Sequence, residues 1–178
     1  EQYLITGSDQ NNVWNSIYAT ILNDAENIIT TATATKSPHY SGVAKILKAY
    51  TYQIAVDTWG SIPFSETQKL TANTKPKYDT DSDIYTNIVK LLDEGIAEVS
   101  ATTSTISPGT NSNIFPGPFS TTKNNWIKFA NTLKLNDRAI LIGEETGGGQ
   151  NLTNAGVYFD NELKYTGIKY SIAHSTFL

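Results

Sequence analysis

SGVAKILKAYTYQIAVDTWGSIPFSE, Ser41 to Glu66, decides how the chain is read. Its first half has helical spacing: Val43, Ile46, Leu47, Tyr50 and Ile54 fall on one face. Ser41 stands where its hydroxyl would accept a bond from an unpaired N–H of the first turn. Gly60 stands where the helix should stop, because a residue without Cβ takes the left-handed terminal conformation at no cost. Pro63 then forbids the helix from resuming, having no N–H to donate. Trp59, Ile62 and Phe64 surround this stop, so the exit turn is expected to be buried.

Upstream, Trp14, Ile17, Tyr18, Ile21, Leu22, Ala25, Ile28, Ile29 and Ala32 follow the i, i+3, i+4 rule of a first helix, with possible caps at Asp9 to Asn12. Thr30 to Thr35 should fray, because branched residues lower helix propensity. Lys36 to Tyr40, with Pro38, is a connector short enough to demand an antiparallel hairpin. Downstream, Ser65 to Lys77 is a polar loop. Asp79, Asp81 and Asp83 lead into a third helix carrying Ile84, Ile88, Leu91, Leu92, Ile96 and Val99 on one face. D-x-D-x-D opens a calcium loop of the EF-hand kind, but the sixth position is Ile84 instead of Gly and the twelfth is Lys90 instead of Glu. The aspartates are therefore read as helix caps, favoured by the helix dipole. Ala101 to Asn125 is a long loop rich in Ser, Thr, Pro and Gly, and a fourth helix is expected from Asn125 to Ile142. Gly147-Gly148-Gly149 breaks the chain without the Lys-Ser/Thr of a phosphate loop. Residues 143–178 are left open between short strands and irregular structure.

The 178 residues carry a net charge of −4, with a pI near 5.1. Nucleic-acid binding usually leaves a basic footprint, which is missing. There is no cysteine, so disulfides, thiolate metal sites and a cysteine nucleophile are excluded. No apolar run approaches the ~20 residues that span a bilayer. His39 and His174 lie far apart in sequence, each without an adjacent metal-ligand motif, and His39 reads as a loop residue. Asp57 and Glu66 flank the Trp59–Phe64 turn and are the one carboxylate pair open to a glycosidase reading; local bonding in a turn is the simpler one. No catalytic residue, metal ligand or cofactor is assigned. Trp14, Tyr18, Tyr50, Trp59 and Trp126 are placed in the core as helix-face aromatics. The aromatics outside helices, Phe115, Phe119, Tyr158 and Tyr165, are the candidates for ligand binding, because a sugar ring stacks its C–H face on an exposed aromatic ring. Binding is expected through a loop-built surface and not through helix faces.

Three segments together carry a family resemblance. The first is Ala44-Lys45-Ile46-Leu47-Lys48-Ala49 followed by Asp57-Thr58-Trp59-Gly60-Ser61-Ile62-Pro63-Phe64. The second runs from Tyr78-Asp79 to Leu92-Asp93-Glu94, and the third is Trp126-Ile127-Lys128-Phe129-Ala130-Asn131-Thr132-Leu133-Lys134-Leu135. In this order and spacing they resemble the SusD/RagB family, in its SusD-like branch, over roughly Trp14 to Ile140. The chain departs from that pattern at Asn136-Asp137-Arg138.

The resemblance implies a mainly α fold of tetratricopeptide-like antiparallel helix pairs with long irregular loops. It implies a single helical domain over 1–178, a portion of a longer protein. It also implies a cell-surface lipoprotein of the outer membrane that binds oligosaccharide or polysaccharide without cutting it. The partner implied is a SusC-like TonB-dependent transporter, and the lipid anchor is not within this chain. No binding residue is carried over. Two other readings stay open: a helical-repeat interaction scaffold without small ligand, and a glycoside hydrolase fragment.

Overall fold

The computed structural model describes residues 7–67, 73, 75–110 and 112–145, with 7–9 and 138–145 as backbone only. The first rod joins α1 (Gly7–Asn15) and α2 (Leu22–Ala34) through a π-helical segment, Ser16–Ile21. Then come α3 (Pro38–Trp59), α4 (Asp81–Val99) and α5 (Phe119–Glu145). The fold is mainly α, and among the described residues the only β feature is a single antiparallel bridge between Ile62 and Asp79. Each rod packs antiparallel on the next. Trp14 meets Trp59 edge-on at 5.1 Å while Glu26 pairs with Lys48 at 2.6 Å, so the first rod runs against α3. Gly42 lies against Gly95 and Val99 while Tyr85 reaches Asp57, so α4 runs against α3 in turn. The resulting core holds Leu22, Ile46, Tyr52, Ile84, Ile88, Leu92 and Trp126.

The start of α3 differs from expectation. The helix begins at Pro38, whose fixed φ suits a first position and whose missing N–H would have had no partner there anyway. Ser41 therefore lies a turn inside α3 and caps nothing; it is buried, and its hydroxyl has no hydrogen-bond partner. The expected single face is also too narrow. Gly42, Lys45 and Ile46 face α4, Lys48 and Tyr52 face the first rod, and Tyr50 meets Phe129 of α5 at 5.5 Å. A helix with three neighbours is buried on most sides, and what stays open falls at Tyr50 and Ile54, each 41% exposed. Tyr50 is thus no core residue. Nor do the threonines fray α2: it stays helical to Ala34, held from outside by buried Ala32 and closed by Thr35 Oγ1 donating to Thr31 O at 3.0 Å.

Gly60 ends α3, with φ 70° and ψ −123°. The positive φ is as expected, but the conformation is that of the first central residue of a type II′ turn and not the left-handed helical one. The turn it opens is buried at Ile62 and Pro63 and fastened by Asp79. Asp79 accepts from Ser65 N at 2.7 Å, Ser65 Oγ at 2.8 Å and Phe64 N at 3.0 Å, and its own N–H donates to Ile62 O at 3.0 Å. Burial pushes this carboxyl up, but the bonds from Ser65, Lys77 and Phe64 outweigh it and hold the group below the usual carboxylate range. Trp59 beside the turn is half-buried, less enclosed than Trp126.

The three aspartates do three different things. Asp79 holds the turn, Asp81 accepts from Ser82 N at 3.0 Å, and Asp83 donates its N–H to Thr80 Oγ1, the side-chain cap of α4. The last helix begins six residues before the expected Asn125, directly after Pro118, whose carbonyl receives the N–H and hydroxyl groups of Thr121 and Thr122. It continues through Asn136-Asp137-Arg138 without interruption. Asp137 is fully buried there, neither carboxylate oxygen has a partner, and its pKa is raised to about 7, first by burial and then by the charge of Asp57. A carboxyl that keeps its proton more readily is one an apolar helix face tolerates.

Candidate functional site

Between α4 and α5 the chain crosses back over the start of α3. Four hydrogen bonds pin this loop. Thr105 N donates to Lys36 O at 3.1 Å and Ile106 N to Ser37 Oγ at 3.2 Å. His39, in the first turn of α3, binds Ala101 O through Nε2 at 2.9 Å and Ser107 Oγ through Nδ1 at 2.7 Å. A carbonyl only accepts, so Nε2 carries the hydrogen, and in the neutral ring Nδ1 accepts from Ser107. The imidazole also packs on Phe119 at 4.9 Å. His39 is therefore a helix residue that clamps the loop, not the loop residue expected.

The pinned loop leaves two cavities beside it. One, of about 460 Å³, is an apolar groove between helices: Tyr40, Val43 and Leu47 of α3 and Ile28 of α2 face Thr122 and Trp126 of α5, under a lip that includes Ile114. The other, of about 430 Å³, is polar, with Ser100, Thr102, Thr110, Ser120 and Lys123 around His39. Pro108, Gly109 and Phe119 border both and form the ridge between them. Past Ile28 and Tyr40 the apolar groove continues to Thr31 and Ile106 in a further hollow of about 340 Å³. Among the described residues, no aspartate or glutamate lines any of the three.

The residues expected to bind ligand are not gathered here as expected. Phe119 belongs to α5 and is only 5% exposed, so it offers the cavities an edge of the core and no open ring. Phe115 is half-buried and lies edge-on to Trp126 at 4.9 Å, because the loop folds it back onto α5. Tyr158 and Tyr165 lie outside the described residues. The groove walls come from α2, α3 and α5, so the cavities are not built from the loop alone. Tyr40 was missed because a cap at Ser41 kept it out of the helix. With Pro38 as first helical residue, Tyr40, Val43, Ala44 and Leu47 share one stripe. Asp57 and Glu66 serve different neighbours. Asp57 accepts from Tyr85 OH at 2.5 Å, and Glu66 accepts from Asn73 Nδ2 at 3.0 Å and Lys77 N at 3.2 Å.

A helical array with a pinned loop and cavities beside it is the architecture this geometry defines. Residues 1–162 match the family model SusD-like_2, described as starch-binding associating with outer membrane, and the chain belongs to that family. Among solved structures, a SusD/RagB family protein from Bacteroides thetaiotaomicron VPI-5482 is similar at a TM-score of 0.71 and 25% identity, covering 92% of this chain and 32% of its own. A structure named as a chitin-binding protein is similar at a TM-score of 0.68 and 25% identity, with the same coverage of 92% and 32%. The chain thus spans about a third of the length of these relatives. No curated protein matches the sequence. Among the described residues, no helix is long and apolar enough to cross a membrane.

Proposed function

We propose that the protein captures glycan at the cell surface without cutting it and delivers it to a SusC-like TonB-dependent transporter in the outer membrane. The helices act as a tetratricopeptide-like scaffold, and attachment through a lipid anchor belongs to the same reading. The observation that carries it is the juxtaposition of an apolar groove and a hydroxyl-lined pocket across the Phe119 ridge. A sugar presents the same two faces: C–H groups that lie on apolar walls and hydroxyls that seek polar partners. The family description and the chitin-binding neighbour support a carbohydrate as ligand. The cavity linings support capture over hydrolysis, because glycoside cleavage needs two facing carboxylates and the described residues of these linings include none.

The test is a titration of the protein with neutral oligosaccharides, maltose- and chitin-derived, followed by an assay for new reducing ends. Binding without new ends is expected, and Tyr40→Ala should weaken it while leaving the thermal transition in place. Absence of binding to every oligosaccharide, or turnover abolished by Asp57→Asn, would overturn the reading.

A further inference from the structure

The apolar groove and the polar pocket differ in charge, and we infer from this that the glycan bound here is acidic, carrying carboxylate or sulfate groups that Lys123 receives. The inference rests on the glycan-binding reading above and narrows it. Lys45, Lys48, Lys77 and Lys134 each pair with a carboxylate. Lys36, Lys75, Lys90 and Lys128 have no such pair among the described residues and stand exposed. Lys123 differs from both sets. It is half-buried in the wall of the polar cavity, and among the described residues no carboxylate pairs with it.

Among the described residues, nothing in its surroundings offers compensation. The cavity lining has no acidic residue, and neither has the first turn of α5. His39, the other basic residue of the lining, has both ring nitrogens engaged by Ala101 and Ser107. The whole chain is acidic, at −4, so the positive pocket is a local feature and not a reflection of overall charge. A lysine that lines a cavity and has no counter-charge among the described residues offers an anion a charge-assisted partner. Around it, the hydroxyls of Ser100, Thr102, Thr110 and Ser120 make no hydrogen bond among the described residues, so they are open to sugar hydroxyls and to anionic oxygens. A volume of about 430 Å³ lies within the range of small-ligand sites. In this arrangement Lys123 selects the charge, and the neighbouring groove takes the uncharged face of the same chain of sugars.

The test uses the whole chain and two oligosaccharide series of equal length: oligogalacturonate as the acidic probe and maltooligosaccharide as the neutral one. Calorimetric titration at low salt should show oligogalacturonate bound more tightly, with the advantage shrinking as salt is added. Lys123→Gln should lose about tenfold in affinity for the acidic series, as expected for one charge-assisted hydrogen bond, and little for the neutral one. Lys123→Arg, which keeps the charge, should retain the preference. Thermal unfolding of each variant confirms that the fold is kept. Equal affinity for the two series would overturn the inference while leaving glycan capture standing. A preference for acidic sugar untouched by Lys123→Gln would remove it from this cavity. Failure of both series to bind would instead overturn the proposed function itself.

Discussion

The two sides of α3 are built in opposite ways. Toward α4 the helices touch backbone to backbone. A Cβ added at Gly42 would lie 2.7 Å from both Gly95 O and Val99 N, and Lys45 crosses the seam to Glu94 and Glu98 at 2.7 Å each. Toward α5 contact is sparse and made by large rings, Tyr50 on Phe129, with the loop filling part of the gap. Small residues let a helix pair close until no space remains. Bulky ones hold a pair apart and leave a groove. The close backbone packing lies on the first side, and the groove beside the loop opens on the second.

Trp126 is the residue most able to break this contrast, because it belongs to both sides. It is 3% exposed and packed in the core, yet it lines the apolar groove. Trp126→Ala should cost about 3–5 kcal/mol, the range for emptying an aromatic core site, read from chemical denaturation. A mild loss would mean that the groove floor is independent of the core. Asp137→Leu comes next and works in the opposite direction. Below the ordinary carboxylate range both folded and unfolded chains are protonated here. From there up to about 7 the folded chain keeps a proton that the unfolded chain has lost, so stability falls as pH rises through that window. Asp137→Leu should remove this slope and stabilise the protein at pH above 7 by about 1–4 kcal/mol, the span seen when buried charges are replaced by apolar groups. An unchanged pH profile of unfolding would show that the carboxyl is not held proton-bound.

Gly42→Val probes the closed seam directly. The branched side chain must push against backbone that cannot yield locally, for a loss of about 1–3 kcal/mol despite a better helix propensity than glycine. A melting temperature equal to the parent's would show that α3 and α4 separate freely. The smallest effect is expected at the open lip. Ile114 is 52% exposed, so Ile114→Ser should move stability by no more than about 0.5 kcal/mol while weakening glycan binding in the titration above. If it destabilised as much as Gly42→Val, the lip would be part of the core and the contrast would fail.

The helix count and order were legible in the sequence, because the four rods each carry a 3.6-residue pattern of apolar residues. Gly60 was legible too, since its place requires positive φ. What misled was choice among rival local signals. Ser41 and Pro38 both mark a helix start, and the proline prevailed because Ser37 and Lys36 are held by the loop above them. Phe119 to Thr122 reads as loop after two prolines, yet the Pro118 carbonyl gathers the threonine donors into a first turn. The candidate site was hardly legible at all. Its walls come from Tyr40, Ile114 and Trp126, which only the packing of α3 against α5 brings together, and no local pattern links them. The charge of Lys123 is plain in the sequence, but its lack of a carboxylate partner among the described residues is not.

The His39 clamp has a consequence for the order in which the molecule assembles. Its bonds join residues 62 and 68 positions apart, and the companion bond from Ile106 to Ser37 spans 69. Such closures carry an entropy cost that local helix formation does not, and they have nothing to close upon until α3 and α4 have docked. The pinned loop is thus expected to be completed late in folding and to open before the core. The amides of Thr105 and Ile106 should exchange with solvent well before those of Ile46 and Ile88. A surface that opens this way, above a core that does not, would let the glycan proposed above leave without unfolding of the helices.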